Sequence, residues 1–142
     1  MKVRDVMTTS IVEITADETC QRAAQLMREK NVGALVVTRD GRIIDGVITD
    51  RDLVVRCMAL GGDPVTQHVG DYMDRHPTTV DGDVELDRAV EMMRNARLRR
   101  LPVTVTGTRI IGVLSVDDIA LDVKHYLDGF LTVAGQYSQK AR

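Results

Sequence analysis

Aromatic side chains are nearly missing from this chain of 142 residues: tryptophan is absent, phenylalanine occurs once and tyrosine three times. A core must therefore be built from Val, Ile, Leu, Met and Ala. The hydrophobic share of 44% is normal for a globular protein, so disorder is not expected. Cysteine is limited to Cys20 and Cys57, with no CxxC pair and no nearby histidine, so neither a disulfide framework nor a zinc site is suggested. No apolar run approaches the length of a membrane span. Met1-Lys-Val-Arg-Asp5 leads directly into patterned sequence without a signal-peptide apolar region, and a cytoplasmic location is expected. The formal net charge of -2 and the lack of a basic tract argue against an electrostatic nucleic-acid binder. A phosphate-binding Gly-x-x-x-x-Gly-Lys-Ser/Thr loop, a nucleophile–base pair and a metal-ligand cluster are all missing, so no enzyme is expected.

What the chain does have is one stretch written twice. Gly46-Val-Ile-Thr-Asp-Arg-Asp-Leu53 returns as Gly112-Val-Leu-Ser-Val-Asp-Asp-Ile119. In both, a glycine opens a short apolar run, a hydroxyl residue follows, and a carboxylate stands three positions later. The pattern reads as a strand that stops at the hydroxyl and feeds into a helix. The repeat extends along nearly the whole chain at a constant offset of 66 residues without a gap. Val3-Arg-Asp-Val-Met7 matches Val69-Gly-Asp-Tyr-Met73, Met27-Arg28 matches Met93-Arg94, and Leu35 and Val37 match Leu101 and Val103. The period is too long for a solenoid repeat. Two copies of one small domain fit, residues 1–62 and 66–127, joined near Gly61-Gly-Asp-Pro64, with a C-terminal extension over 128–142.

Each copy is predicted as β-α-β-β-α. In the first, Ile11-Val-Glu-Ile14 alternates as a strand, and Thr15-Ala-Asp-Glu18 signals a helix start, with Asp17 or Thr19 equally able to cap; the helix face is Cys20, Ala23, Ala24 and Met27. Asn31 and Gly33 end that helix. Ala34–Thr38 and Ile43–Thr49 are strands joined at the turn Asp40-Gly41, and a second helix runs from about Asp50 to Leu60. The second copy repeats the order, closing with a helix from Val116 to about Leu127. Beyond Asp128, the residues Phe130, Leu131, Val133 and Tyr137 either continue a helix or cap a dimer interface, with Gly129 and Gly135 weakening the helical reading. A unit of about 60 residues buries too little surface to be stable alone, so the copies are expected to pack their apolar sheet faces together with pseudo-twofold symmetry.

The duplicated β-α-β-β-α order, the Asp-Val-Met7 and Asp-Tyr-Met73 openings, Arg99-Arg-Leu-Pro-Val103 and the Gly-apolar-apolar-Thr/Ser-x-x-Asp endings together resemble the CBS domain pair, or Bateman module, over residues 1–127. The resemblance implies an α+β fold and a stand-alone regulatory module. Its clefts would take an adenine-containing ligand such as AMP, ADP, ATP or S-adenosylmethionine, and two such pairs would assemble as a homodimer that signals to a regulated protein. Free amides and the positive dipole end at a helix N-terminus suit phosphate, and a carboxylate one turn later suits the two hydroxyls of a ribose. By resemblance, Asp52 and Asp118 hold ribose, with Thr49 and Ser115 near ribose or phosphate. Adenine would lie around Ile14 and Val36, or around Val80 and Pro102. Arg99 and Arg100 stand where the family carries phosphate-binding residues. Their first-copy counterparts, Gly33 and Ala34, depart from that pattern unless Arg51 or a residue from the other copy compensates. Asp50 and Asp117 add negative charge near the phosphate position, which argues against two equal triphosphate sites.

Plainer roles compete at each position. Thr49-x-x-Asp52 and Ser115-x-x-Asp118 are also capping boxes, and capping needs no ligand. Arg99 and Arg100 also read as solvated residues closing a helix. Cys20 and Cys57 align with Leu86 and Val123 and read as buried, inert thiols. His68, His76 and His125 share no metal-ligand spacing. Asp81-Gly-Asp83 is a turn before it is a calcium loop, whose other ligands are missing. A structural module with vestigial clefts is the competing function.

Overall fold

The computed structural model describes residues 1–140, without the side chains of 41 and 137–140. Six strands form one mixed sheet in the order β1-β2-β3-β6-β5-β4: β1 Glu13–Ile14, β2 Ala34–Arg39, β3 Ile43–Thr49, β4 Val80–Asp81, β5 Arg100–Val105 and β6 Arg109–Ser115. Each copy supplies three strands, with one parallel pair (β1 with β2, β4 with β5) and one antiparallel hairpin. The halves meet edge to edge where Ile43 of β3 pairs with Arg109 of β6. The repeat is reproduced in detail. The hairpin register slips between Val37 and Thr38 in one copy and between Val103 and Thr104 in the other, 66 positions on. The first strand of each copy is shorter than its alternating sequence suggests, two residues in each case.

The helices form for the reasons the sequence carries. Thr19 caps α2 (Cys20–Lys30) by accepting from the Arg22 amide at 3.1 Å, and Asn31 closes it in the left-handed conformation. Its second-copy equivalent is α3 (Leu86–Ala96), closed by Arg97 with φ 55°. The helix after β3 departs from regular α geometry: Asp52–Cys57 is π-helical, Met58–Leu60 is 3₁₀, and Gly61 ends it at φ 81°. The helix after β6 does not stop near Leu127. As α4 it runs unbroken over Val116–Lys140, through Gly129 and Gly135, so the extension is helical as far as Lys140. A glycine inside a helix costs only about 1 kcal/mol, too little to break a long one.

Two apolar clusters lie under the sheet, one per half, and they do not follow the sequence repeat. Val3 of the short helix α1 (Val3–Val6), fully buried, packs with Val80, Ala89, Met93, Leu101 and Leu114 of the second copy. Val69 and Met73, from the opening of the second copy, pack with Ile14, Ala23, Leu35 and Ile48 of the first. The copies have exchanged their opening segments. Backbone bonds fix the exchange: Val3 N–H to Val84 O at 2.9 Å, and Val69 N–H to Glu18 O at 2.9 Å. Thr8 and Val113 exchange both of their bonds at 2.9 Å, as do Asp74 and Val47 at 2.9 and 3.0 Å. The glycine that opens each repeated motif makes room for this crossing chain. A Cβ on Gly112 would come within 2.6 Å of Met7 Sδ and 2.7 Å of Thr8 O, and one on Gly46 would strike the Asp74 carbonyl.

Cys20 and Cys57 are fully buried in the first cluster, as expected, and are close neighbours there, which their spacing did not indicate. Burial first, and the adjacent Cys57 second, push the Cys20 thiol from 9.0 to about 11.

Two measurements follow from this packing. Val3→Ala should destabilise the protein by roughly 2 kcal/mol. It should also raise hydrogen exchange in α3 and β5 before α2 and β2; faster exchange confined to the first copy would contradict the exchanged packing. For Cys20, the folded thiol ionises with more difficulty than the unfolded one. Its contribution is complete below pH 9 and is lost as pH rises through about 11. Denaturation midpoints should therefore fall across that window in wild type and fall less in Cys20→Ala.

Candidate functional site

β3 ends at Thr49 and β6 ends at Ser115, and at both junctions the chain turns at once into a helix. The Thr49 amide donates to Asp52 Oδ2 at 2.9 Å, and the Asp52 amide donates to Thr49 Oγ1 at 3.1 Å. The Ser115–Asp118 pair makes the same two bonds at 3.2 and 3.0 Å. Both motifs are thus reciprocal capping boxes. The expectation of free amides for phosphate needs correcting here. The Asp50 and Val116 amides donate to the Gly33 and Arg99 carbonyls at 2.9 Å, and the Arg51 amide donates to Asp50 Oδ1 at 2.8 Å. At the start of α4, two of the first three amides are already engaged. The carboxylates keep their Oδ1 atoms, although Arg56 stands 3.9 Å from that of Asp52.

The Ser115–Asp118 junction opens on a cleft of about 390 Å³ between the two copies. Alternation along the strands creates it. Leu35 and Val37 point into the first apolar cluster, so Val36 points the other way. Leu101 and Val103 point into the second cluster, leaving Pro102 outward. Val36 and Val47 line the cleft from the first copy, and Pro102, Val113 and Arg100 line it from the second. Ser115, Asp117 and Asp118 complete it at the start of α4. The cleft therefore mixes copies, with strand surface from the first and the hydroxyl–carboxylate corner from the second.

Of the residues singled out in the sequence, Val36, Pro102, Arg100, Ser115 and Asp118 come together in this cleft. Ile14 and Val80 lie in the two apolar clusters, and Ile11 and Val12, just before Ile14, reach the cleft instead. Arg99 parts from Arg100 and lines a separate groove with Val90, Met93, Arg94, Leu98 and Val116. Its guanidinium is 3.8 Å from Asp117, both side chains being exposed. Thr49, Arg51 and Asp52 form the equivalent corner of the other copy and do not line this cleft. Thr8 and Ser10 do line it and were not picked out. The hydroxyl run Thr8-Thr9-Ser10 is visible in the sequence, but only the segment exchange carries it to the second copy's Val113.

Apolar walls, three hydroxyls, one guanidinium and two carboxylates suit a flat apolar ring bearing hydroxyl groups. Among the described residues no group of three or more His, Cys, Asp or Glu could hold a metal ion, and no helix is long and apolar enough to cross a membrane.

The CBS domain model matches residues 3–58 and 69–124. The uncharacterised protein YlbB of Bacillus subtilis is 36% identical over 121 residues, covering 84% of this chain and 80% of its own length. Hypoxic response protein 1 of Mycobacterium tuberculosis is 33% identical over 117 residues, covering 82% of this chain and 81% of its own. A crystal structure of Hypoxic Response Protein I, described with two coordinated zinc ions, superposes with a TM-score of 0.76 at 32% identity, covering 84% and 97% of the two chains. The CBS domain pair of protein MJ0100, in complex with 5′-methylthioadenosine and S-adenosylmethionine, gives 0.75 at 18% identity over 89% and 98%, a likeness of fold alone. With both copies matched by one family model and their α+β order reproduced in the sheet, this chain belongs to the CBS domain family as a tandem pair.

Proposed function

We propose that this chain is a non-catalytic regulatory module of the cytoplasm. It senses an adenosyl compound (AMP, ADP, ATP, S-adenosylmethionine or a relative) in the cleft and signals its occupancy to another protein. CBS pairs commonly bind adenosyl ligands, and the MJ0100 pair holds two of them. The observation that carries the reading here is the composite cleft, which Val36 and Pro102 line together with Ser115 and Asp118. In this reading adenine lies against the apolar strand surfaces and the Asp118 carboxylate accepts from ribose; the apolar lining and the Oδ1 left over by the capping bonds support it. Because its walls come from both copies, a ligand there favours one packing of the pair over others. The internal capping bonds of Asp52 and Asp118 favour the second reading, a structural module with vestigial clefts.

The module is proposed to act as a homodimer through α4. Val116, Ala120, Val123, Leu127, Phe130 and Ala134 recur at alternating steps of four and three, the spacing of a helix that packs on another helix. The stripe is uncovered, with Leu127 50% and Phe130 62% exposed. It continues into the groove rimmed by Arg94, Arg97 and Arg99. Between Asp117 and Asp128, α4 carries four aspartates against one lysine, an acidic flank beside the basic rim.

Calorimetric titration of AMP, ADP, ATP and S-adenosylmethionine should show binding of at least one compound. Asp118→Ala should weaken it about tenfold or more, the loss of a charged hydrogen bond, while Asp52→Ala changes it less. No adenine compound binding at millimolar concentration would leave the structural-module reading. Light scattering should give a dimer for wild type and a monomer for Leu127→Glu/Phe130→Glu; a monomeric wild type would remove α4 as the interface.

A further inference from the structure

The two hydroxyl–carboxylate corners differ by a charge reversal. The 66-residue offset sets Ser115 on Thr49 and Asp118 on Asp52, but Asp117 on Arg51. The open cleft thus carries Asp117 and Asp118 against one guanidinium, Arg100. Arg99 leans on Asp117 from the neighbouring groove and does not line the cleft. Two of the first three α4 amides, Val116 and Asp118, are spent on Arg99 O and Ser115 Oγ. The usual means of holding a phosphate, a row of free amides at a helix start reinforced by cations, is therefore largely occupied. The remaining lining is mostly aliphatic, including Ile11, Val12, Val36 and Val113.

We propose, building on the ligand-sensing reading above, that this cleft selects an adenosyl compound whose 5′ substituent carries no net negative charge, such as a thioether or a sulfonium, and that Asp117 sets this preference. A polyphosphate tail leaving the ribose toward α4 meets two carboxylates within one turn. A neutral thioether meets them without repulsion, and a sulfonium is attracted. The other copy supplies the reversal that tests the idea, since Arg51 is the same position with opposite charge.

The experiment titrates 5′-methylthioadenosine, S-adenosylmethionine, AMP and ATP against wild type, Asp117→Asn and Asp117→Arg at low and high salt. Asp117 is well exposed, so both variants should fold, and thermal melts check this. Wild type should bind the thioether or the sulfonium at least about tenfold more tightly than ATP, the size of one partly screened charge interaction. Asp117→Asn should narrow that ratio and Asp117→Arg should narrow it further or invert it. Added salt should shrink the wild-type preference. AMP or ATP binding wild type as tightly as the thioether, or a ratio unmoved in Asp117→Arg, would overturn the proposal while leaving ligand sensing intact. Failure of all four compounds to bind wild type would overturn both.

Discussion

The exchange of opening segments is the constraint on which the rest of the molecule depends. Val3 completes the apolar cluster of the second copy and Val69 completes that of the first, so neither copy has a whole core without a piece of the other. This answers the difficulty of size. A unit of some 60 residues buries too little surface to stand alone, and a shared core makes the pair the folding unit. The crossing strands must pass close over β3 and β6, and for that reason each repeated motif begins with glycine. What approaches Gly46 and Gly112 is the chain itself, at Asp74 and at Met7–Thr8.

The same crossing builds the cleft. Thr8 is tied to Val113 by two backbone bonds, which carries the Thr8–Ser10 hydroxyl segment across to the second copy's corner. Strand alternation then leaves Val36 and Pro102 as the outward residues of the two middle strands. The cleft is a by-product of how the halves are locked, and its walls come from both. Under the proposed ligand-sensing role, coupling between occupancy and the relative packing of the copies would need no separate relay, because the cleft surface is also the packing surface.

Much of this was legible in the chain. The offset of 66, the hairpins, the Thr19 cap and the Asn31 stop all came from local pattern, because capping and strand alternation are decided within a few residues. The Ser115–Asp118 corner was legible for the same reason. The segment exchange was not, since Val3 and Val69 occupy equivalent places in the repeat and look the same whichever cluster they fill. From that single ambiguity follow the grouping of adenine-site residues within one copy at a time and the unnoticed Thr8 and Ser10. The contact of Cys20 with Cys57 is likewise tertiary and left no trace in their spacing. The course of α4 through Gly129 and Gly135 was left open because helix propensity alone is a weak guide against an apolar stripe that continues at regular spacing.

Duplication supplied two equal corners, and the sequence has since made them unequal. After β3 the helix widens into π geometry over Asp52–Cys57, which keeps both Leu53 and Cys57 buried, and it ends at Gly61. After β6 the helix runs on for 25 residues and leaves its apolar stripe outside. The charged position next to each capping aspartate is Arg51 in one copy and Asp117 in the other. A pair with identical corners would respond to one ligand twice. Here the cleft, its acidic rim and the exposed stripe all belong to the same helix, α4, whose first turn lines the site and whose later turns remain free. Under the proposed ligand-sensing and dimer roles, a shift of that first turn would be carried along α4 to the surface where a second copy would sit, a mechanical use of the asymmetry that two equal halves would lack.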